Sequence, residues 1–249
     1  MSGVNFFNNV TDPNYDFSFL QVYVNDELTD IPANALTAAA GDDIKIVSLS
    51  KLYPFFRPYD YIASIEEPLP FMGETDFGSY FLFCHTLASI PENLFINNPQ
   101  ITTFNNCFRY CQSLTSIPQG LFDNNPNVTD FSSCFDNCQA LTVIPQGLFD
   151  NNPQVTSFYR CFGYCSSLTS IPEELFDNNP NVTNFSGCFD YCTKLKVNVQ
   201  IGSTTTNTVY VSNFARGTAA KGTVYCRAGS EAYNAFLEDS SANVDVLTY

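Results

Sequence analysis

The sequence predicts an α+β repeat solenoid in which coils of 27 residues stack between a β-rich cap at each end. Four copies of one 27-residue unit follow one another without a gap, beginning at Ser89, Ser116, Val143 and Ser170. A fifth, worn copy that has lost two residues precedes them from Ser64. The composition is skewed in the same sense, with 24 Phe and 14 Tyr but no Trp, as expected when a few apolar positions are copied many times.

The apolar positions of the unit recur in every full copy. A single coil cannot bury these side chains alone, so neighbouring coils must stack to form a continuous core. In the copy that begins at Ser170, nine positions are predicted to face this core: Ile171, Leu175, Phe176, Val182, Phe185, Cys188, Phe189, Cys192 and Leu195.

Local patterns predict a strand, a turn and a short helix in each coil. Leu168–Ile171 and Val182–Phe185 are predicted as short strands, and Pro172 can occupy the first turn of a brief helical segment. Asp177–Pro180 is predicted to end that segment, because Asn tolerates the left-handed conformation and the residue before proline avoids the helical region. The i, i+4 spacing of Cys188 and Cys192 predicts another helical turn with both sulfur atoms on one face.

Four domains are predicted along the chain: an N-terminal arm at 1–18, a β-rich N-terminal cap at 19–63, the solenoid at 64–196 and a β-rich C-terminal cap at 197–249. Tyr53–Tyr61 is aromatic, broken by proline and predicted to have little regular structure. The predicted elements of the caps are strands at Phe19–Val24, Ile44–Leu49, Val197–Ile201, Thr208–Phe214, Gly222–Cys226 and Val244–Leu247, and a helix at Ser230–Leu237.

The repeated phrase CFxxCxxLTxIP begins at Cys107, Cys134 and Cys161, and a variant of it begins at Cys188. It resembles the BspA-like leucine-rich-repeat family, whose members include surface proteins of gut and oral bacteria and some protozoan proteins. The segment Gly222–Ser230 also resembles the closing segment of such proteins. The resemblance covers roughly 64–196 and implies right-handed, leucine-rich-repeat-like coils. The family usually has Met where this chain has the first cysteine of the phrase, so the doubled cysteine is a departure.

Ten cysteines admit three interpretations, and nine of them follow the repeat. Columns of buried thiols fit best, because cysteine is small and apolar and suits a tight inner corner. Disulfides between adjacent coils are a second interpretation. A zinc site is a third, although a regular array of thiols offers no closed tetrahedron. A calcium-binding column along the Asp-Asn-Asn positions is also conceivable.

The sequence predicts no enzyme, no cofactor and no metal site. His85 is the one histidine, and no fixed acid or nucleophile accompanies it in the repeat. Phosphate-binding glycine loops and nucleophile elbows are absent from the sequence. A formal charge of -15 disfavours nucleic acid and anionic lipid as partners, and no segment predicts membrane insertion.

Positions that differ between copies are predicted to face outward and to form a binding surface for protein or glycan. Tyr110, Tyr164 and Tyr191 would line up there, because tyrosine offers rigid apolar area with a polar tip. The rings could instead merely shield the edges of neighbouring coils. The candidate residues are Arg109, Tyr110, Asp136, Asn137, Tyr159, Arg160, Tyr164, Asp190 and Tyr191.

Two functions follow as hypotheses. The first is an exposed virion protein, associated with a phage capsid or tail, that presents the solenoid for assembly or host-surface attachment. The second is a bacterial cell-surface adhesin of the BspA-like type that binds host protein or glycan. The first thirty residues contain neither Lys nor Arg, so no signal peptide is visible in this chain. The predicted location is therefore the virion, or the extracellular space or cell surface.

Overall fold

A computed structural model describes residues 73–249 together with 65, 68, 69 and 71. Before these, it gives the backbone of five strands: β1 (Val4–Asn5), β2 (Leu20–Val24), β3 (Glu27–Thr29), β4 (Thr37–Ala38) and β5 (Ile44–Leu49). β2 pairs with β3 and β5 in an antiparallel sheet, and β1 pairs with β4. β5 has the predicted bounds, and β2 begins one residue later than predicted. β1 lies in the predicted arm, whereas Tyr53–Tyr61 falls outside the described residues.

Parallel backbone contacts repeat along the chain with the period of the sequence. Asp76 bridges Thr103, and the same bridge joins Thr103 to Asp130, Asp130 to Ser157 and Ser157 to Asn184. Each step is 27 residues, so equivalent positions of successive units lie side by side. The assignment of this stack to a leucine-rich-repeat-like solenoid, and the handedness of its coils, stay predictions.

Two columns of threonine strengthen the contacts between units. The amide and the hydroxyl of Thr129 both donate to the carbonyl of Thr102, at 2.8 and 3.2 Å. Thr156 and Thr183 repeat this contact, and Thr142 and Thr169 make a similar one in a second column. These contacts account for the threonine that follows Val or Leu in each copy.

The predicted core positions are buried. In the copy that begins at Ser170, eight of the nine are at most 1% exposed, and Ile171 is half-buried. Phenylalanine rings stack from unit to unit. The Phe108 and Phe135 centroids, for example, lie 5.4 Å apart with an interplanar angle of 4°. Stacked aromatic pairs stabilise a fold beyond the area that they bury, so these columns tie each unit to the next.

The helical turn predicted at Cys188 and Cys192 is wrong for the described units. The segment around the two cysteines is a series of tight turns, and the residue before each cysteine has a left-handed backbone, as at Gly187 (φ 66°) and Tyr191 (φ 55°). An α-helix cannot contain such residues. Alternate amides instead donate to the next unit, as Tyr164 N does to Asp190 O at 2.7 Å.

The second Asn of the Asp-Asn-Asn-Pro turn has a different role from the one predicted. Asn125, Asn152 and Asn179 are not among the left-handed residues, and their side chains are at most 1% exposed. Each side-chain amide donates to the backbone carbonyl of the equivalent Asn one unit earlier, at 2.9, 2.9 and 3.1 Å. Buried amides therefore connect the turns, which explains the repeated Asn without any left-handed conformation.

The C-terminal segment continues the stack. β6 (Asn198–Ile201), β7 (Gly222–Cys226) and β8 (Val244–Thr248) form a parallel sheet in that order, and Ile201 bridges Phe176. α1 (Glu231–Glu238) lies between β7 and β8, followed by a 3₁₀-helix at Ser240–Ala242. The Ser230 hydroxyl caps α1 by accepting from Tyr233 N. These elements lie within two residues of their predicted bounds.

The predicted strand Thr208–Phe214 is wrong. Tyr210 makes one bridge to Asn184, and turns follow it. Phe185 N donates to Tyr210 O and Gly187 N donates to Ser212 O, at 2.8 Å each. Tyr210 thus takes the place of Asn184, so the segment repeats the turn region of the preceding units with an offset of 26, and it forms a further worn unit.

Candidate binding surface

The predicted binding positions lie at or next to the residue that directly precedes each cysteine of the unit, where the backbone is left-handed. Residues immediately before the two cysteines adopt positive φ in all four full copies. At each of these two positions, the side chain of one unit lies in register with the equivalent side chain of the next unit. The two sets are Asn106, Ser133, Arg160 and Gly187 before the first cysteine, and Tyr110, Asn137, Tyr164 and Tyr191 before the second.

The second set, with Phe83 from the worn first copy, is called the aromatic row here. Tyr110 stacks on Phe83 with ring centroids 4.8 Å apart, and Tyr164 stacks on Tyr191 at 5.1 Å. Asn137 lies between the two pairs. The row is therefore interrupted, and each ring covers one face of its partner. This stacking supports the interpretation that the rings protect neighbouring units, while their edges remain available for contact.

Guanidinium groups cover further tyrosine faces. The Cζ atom of Arg109 lies 5.0 Å from the Tyr110 centroid, and that of Arg160 lies 5.2 Å from the Tyr164 centroid. The other faces of these rings are taken by Phe83 and Tyr191. Arg109 and Arg160 therefore lie on the sides of the rings that face Asn137. Such cation–π contacts restrain long arginine side chains that would otherwise be mobile.

Asp136 was predicted to face outward, and the structure buries it at 1% exposure. Its carboxylate turns inward toward Gly163, where a Cβ would come within 2.7 Å of Asp136 Oδ1. The absence of a side chain at that position creates the space. Arg109 Nε donates to Asp136 Oδ2 at 2.8 Å, and Arg160 Nε lies 3.8 Å from Asp136 Oδ1. Asp136 therefore positions two arginines and is not itself part of the outer surface.

Asp190 is also buried, at 2% exposure, contrary to the prediction. Arg216 donates to both of its carboxylate oxygens, from Nε at 2.9 Å and from a terminal nitrogen at 2.8 Å. The Arg216 Cζ atom lies 5.0 Å from the Tyr191 centroid. Arg216 was missed because it follows the segment Thr208–Phe214, which was predicted as a strand and not as part of a further unit. Its offset of 26 from Asp190 was the signal that could have found it.

Burial raises the pKa of the Asp136 carboxyl above its ordinary value of 3.8, and the hydrogen bond from Arg109 opposes this shift. Ionisation of Asp136 therefore costs more free energy in the folded protein than it does in water.

The remaining predicted residues reach the surface to different degrees. Tyr159 and Tyr191 are about two-fifths exposed, at 41% and 40%. Arg109, Tyr110, Asn137, Arg160 and Tyr164 are half-buried. The name Tyr/Arg surface is used below for the side chains that share this side of the stack, namely Arg109, Tyr110, Asn137, Tyr159, Arg160, Tyr164, Tyr191 and Arg216.

The cysteines line the interior. All ten are buried, and the nine from Cys107 onward are present as thiols. The second cysteine of each full copy donates its S–H to a phenylalanine carbonyl of the preceding unit at 3.0 to 3.3 Å. Burial raises the pKa of these thiols, that of Cys226 to about 12. They are consequently protonated at neutral pH.

Within the described part of the chain, no three His, Cys, Asp or Glu side chains come together as a metal site. His85 is half-buried, with its ring 5.9 Å from that of Phe83. Across the described residues, the helices are too short or too polar to cross a lipid bilayer.

Comparison with known proteins adds no assignment. The chain matches no model of a known protein family. It also shows no significant match to a curated protein. The BspA-like resemblance therefore rests on the repeated phrase and the closing segment quoted above.

Proposed function

We propose that this chain is a non-enzymatic structural and binding module that uses the Tyr/Arg surface to hold a partner. The observation that carries the proposal is the set of three arginines, each fixed over a tyrosine ring on one side of the stack. Tyr and Arg are the residue types enriched at the energetic centres of protein interfaces. Side chains that are already ordered lose less entropy on binding, so the surface is prepared for contact.

The thiols and carboxylates of the described units support a role without catalysis. Thiols are the strongest potential nucleophiles of this sequence, and the repeat thiols are buried and protonated. A buried thiol with a raised pKa is a poor nucleophile. The repeat carboxylates Asp136 and Asp190 are engaged by arginines. These groups serve packing and positioning.

In its most specific form, the proposal makes this chain an exposed virion protein, associated with a phage capsid or tail, that takes part in assembly or host-surface attachment. The acidic charge of -15 keeps such a surface from binding nucleic acid or anionic lipid indiscriminately. The alternative is a bacterial cell-surface adhesin for host protein or glycan. The BspA-like phrase at Cys107, Cys134 and Cys161 favours this alternative.

Light scattering and mass spectrometry of the protein from its native source separate the two settings. Recovery within a large particle, together with capsid or tail proteins, supports the virion protein. Recovery as a free or lipid-anchored monomer with a processed N-terminus overturns it in favour of the adhesin.

Binding through the Tyr/Arg surface is tested by the double substitution Tyr164→Ser and Tyr191→Ser. The partner recovered with the native protein should bind at least about tenfold more weakly, since two interface tyrosines are lost. Gln119→Ala with Gln146→Ala is the matched control, because both glutamines are exposed in another turn of the unit. Equal binding by the tyrosine variant and the control would place the partner on another face.

A further inference from the structure

The gap in the aromatic row at Asn137 carries more positive charge than its buried carboxylate can balance. Arg109 and Arg160 both approach Asp136, so two guanidinium groups share one carboxylate. Arg216 differs, because it makes a bidentate pair with Asp190. In a chain with a formal charge of -15, this gap is a local concentration of positive charge.

The gap has a defined height. Adjacent rings of the row are separated by 4.8 and 5.1 Å, and Tyr110 and Tyr164 lie two units apart. With a rise of about 4.8 Å per unit, the two rings stand about 10 Å from each other. Asn137 has a short side chain at this level, and its amide donates to Asp136 Oδ2 at 3.2 Å. The Cζ atoms of Arg109 and Arg160 lie 5.0 and 5.2 Å from these two ring centroids, so the two guanidinium groups occupy the height between the rings, at the level of Asn137.

The arginines retain donors for a ligand. A guanidinium group carries five N–H donors. Arg109 uses Nε for Asp136 and one terminal nitrogen for Asn106 Oδ1 at 3.4 Å. Arg160 Nε is buried at 3.8 Å from Asp136 Oδ1, which is too long for a hydrogen bond. The side chains of Arg109 and Arg160 are 35% and 30% exposed, so their ends reach solvent.

We propose that Arg109, Arg160 and Asn137 form a binding site for a single carboxylate, and that its ligand is an acidic side chain of a partner protein. Two guanidinium groups present planar donor pairs, which match the geometry of a carboxylate. The strongly acidic chain repels a polyanion, so a ligand with sparse negative charge is favoured over an acidic polysaccharide or nucleic acid. Tyr159 directly precedes Arg160, and its exposed ring suits contact with the apolar neighbours of an acidic residue in a protein interface.

The site rests on the proposed binding function and can be tested without the natural partner. The probes are the peptide acetyl-Leu-Glu-Leu-amide and its uncharged match acetyl-Leu-Gln-Leu-amide, titrated into the full chain. The readout is the NMR shift of the Nε–H signals of Arg109 and Arg160. We expect saturable shifts of both signals with the Glu peptide and none with the Gln peptide. Equal responses to the two peptides, or no response to either, would overturn the carboxylate site.

Two variants locate the binding. Arg160→Gln should weaken the Glu peptide about tenfold, because a charged hydrogen-bond donor is lost. Asn137→Tyr should place a ring beside the two guanidinium groups and obstruct a ligand there, while leaving both arginines in the chain. Thermal unfolding checks that each variant folds, and the Arg109 signal reports binding in both. Unchanged affinity in the two folded variants would also refute the proposal.

Two further probes identify the source of the carboxylate. Inorganic phosphate and a short oligoglucuronate are titrated under the same conditions as the peptides. Tighter binding of either one than of the Glu peptide would overturn the assignment to a protein partner. If the Glu peptide fails but Tyr164→Ser with Tyr191→Ser still loses the native partner, the carboxylate site is wrong and the proposed function stands. If the peptide binds and no partner depends on those tyrosines, the proposed function is wrong instead.

Discussion

Replacement of the buried amide of Asn152 tests how the turns of successive units are held together. Asn152 is 0% exposed, and its side-chain nitrogen donates to Asn125 O at 2.9 Å and to Phe122 O at 3.1 Å. Asn152→Ala removes both hydrogen bonds and leaves a small cavity. At about 1 kcal/mol for each hydrogen bond, with a further cost for the cavity, the expected loss of unfolding free energy is about 2–4 kcal/mol.

The preceding residue provides the matched control. Asn151 is the same amino acid in the same turn, and it is exposed. Asn151→Ala should change the unfolding free energy by less than about 0.5 kcal/mol. Urea unfolding followed by circular dichroism measures both variants against the parent chain. Equal losses in the two variants would refute the buried amide column as a source of stability.

Asn152→Asp sharpens the test, because it preserves the shape of the side chain and removes the donor. A carboxylate beside two backbone carbonyls is unfavourable when it is charged, and a protonated carboxyl can again donate. We therefore expect a larger loss than for Asn152→Ala at pH 7, with partial recovery of stability near pH 4. A loss that does not depend on pH would contradict this account.

Three other outcomes follow from the structure. The pKa of Asp136 is raised in the folded state, so its contribution to stability is present below about pH 3.8 and is lost as the pH rises through the folded value. In urea unfolding, the stability of Asp136→Asn relative to the parent should therefore increase from about pH 3.5 to about pH 7. A difference that stays constant with pH would contradict this. Gly217→Ala should lower the melting temperature more than Gly229→Ala, because both glycines have φ of 71° but only at Gly217 would a Cβ meet the Tyr191 ring, at 2.8 Å. Alkylation of the native chain by iodoacetamide should be far slower than alkylation in urea, since the cysteines are buried, and rapid labelling without denaturant would contradict the thiol columns.

The repeat made much of the core predictable. A period of 27 identifies the positions that recur. Apolar residues at these positions are buried, because stacking the units is the way in which the chain removes them from water. Phe176, Phe185 and Phe189 are therefore in the core, as expected from the pattern alone. The strand bounds at 222–226 followed from β-branched and aromatic residues between glycine-containing turns.

The turn conformations were not predictable from the same pattern. Cys188 and Cys192 have helical spacing, and that spacing hid the left-handed residues in front of them. Left-handed backbone is usually signalled by Gly or Asn. Here Tyr164, Tyr191 and Arg160 adopt it, because hydrogen bonds to the next unit replace those that a helix would supply.

The burial of Asp136 depends on one neighbour. A variable position on a repeat usually faces solvent, which is why Asp136 and Asp190 were expected at the surface. Asp136 turns inward because the equivalent position in the next unit is Gly163, whose missing side chain leaves room for a carboxylate. This exchange of volume between adjacent units cannot be read from either copy alone.

Side chains larger than glycine at the left-handed positions lower the stability of the fold, and this loss bears on function. Glycine is the residue best suited to positive φ, and a larger residue loses about 1 kcal/mol there. Yet seven of the eight left-handed positions that directly precede the cysteines of the full copies are not glycine. The exception is Gly187, where a Cβ would lie 3.0 Å from Arg160 Cγ, so even this glycine makes room for an arginine of the Tyr/Arg surface. A sequence free to optimise stability alone would place glycine at most of these positions, and its retention of Tyr, Arg and Asn there supports a binding role for the surface that they form.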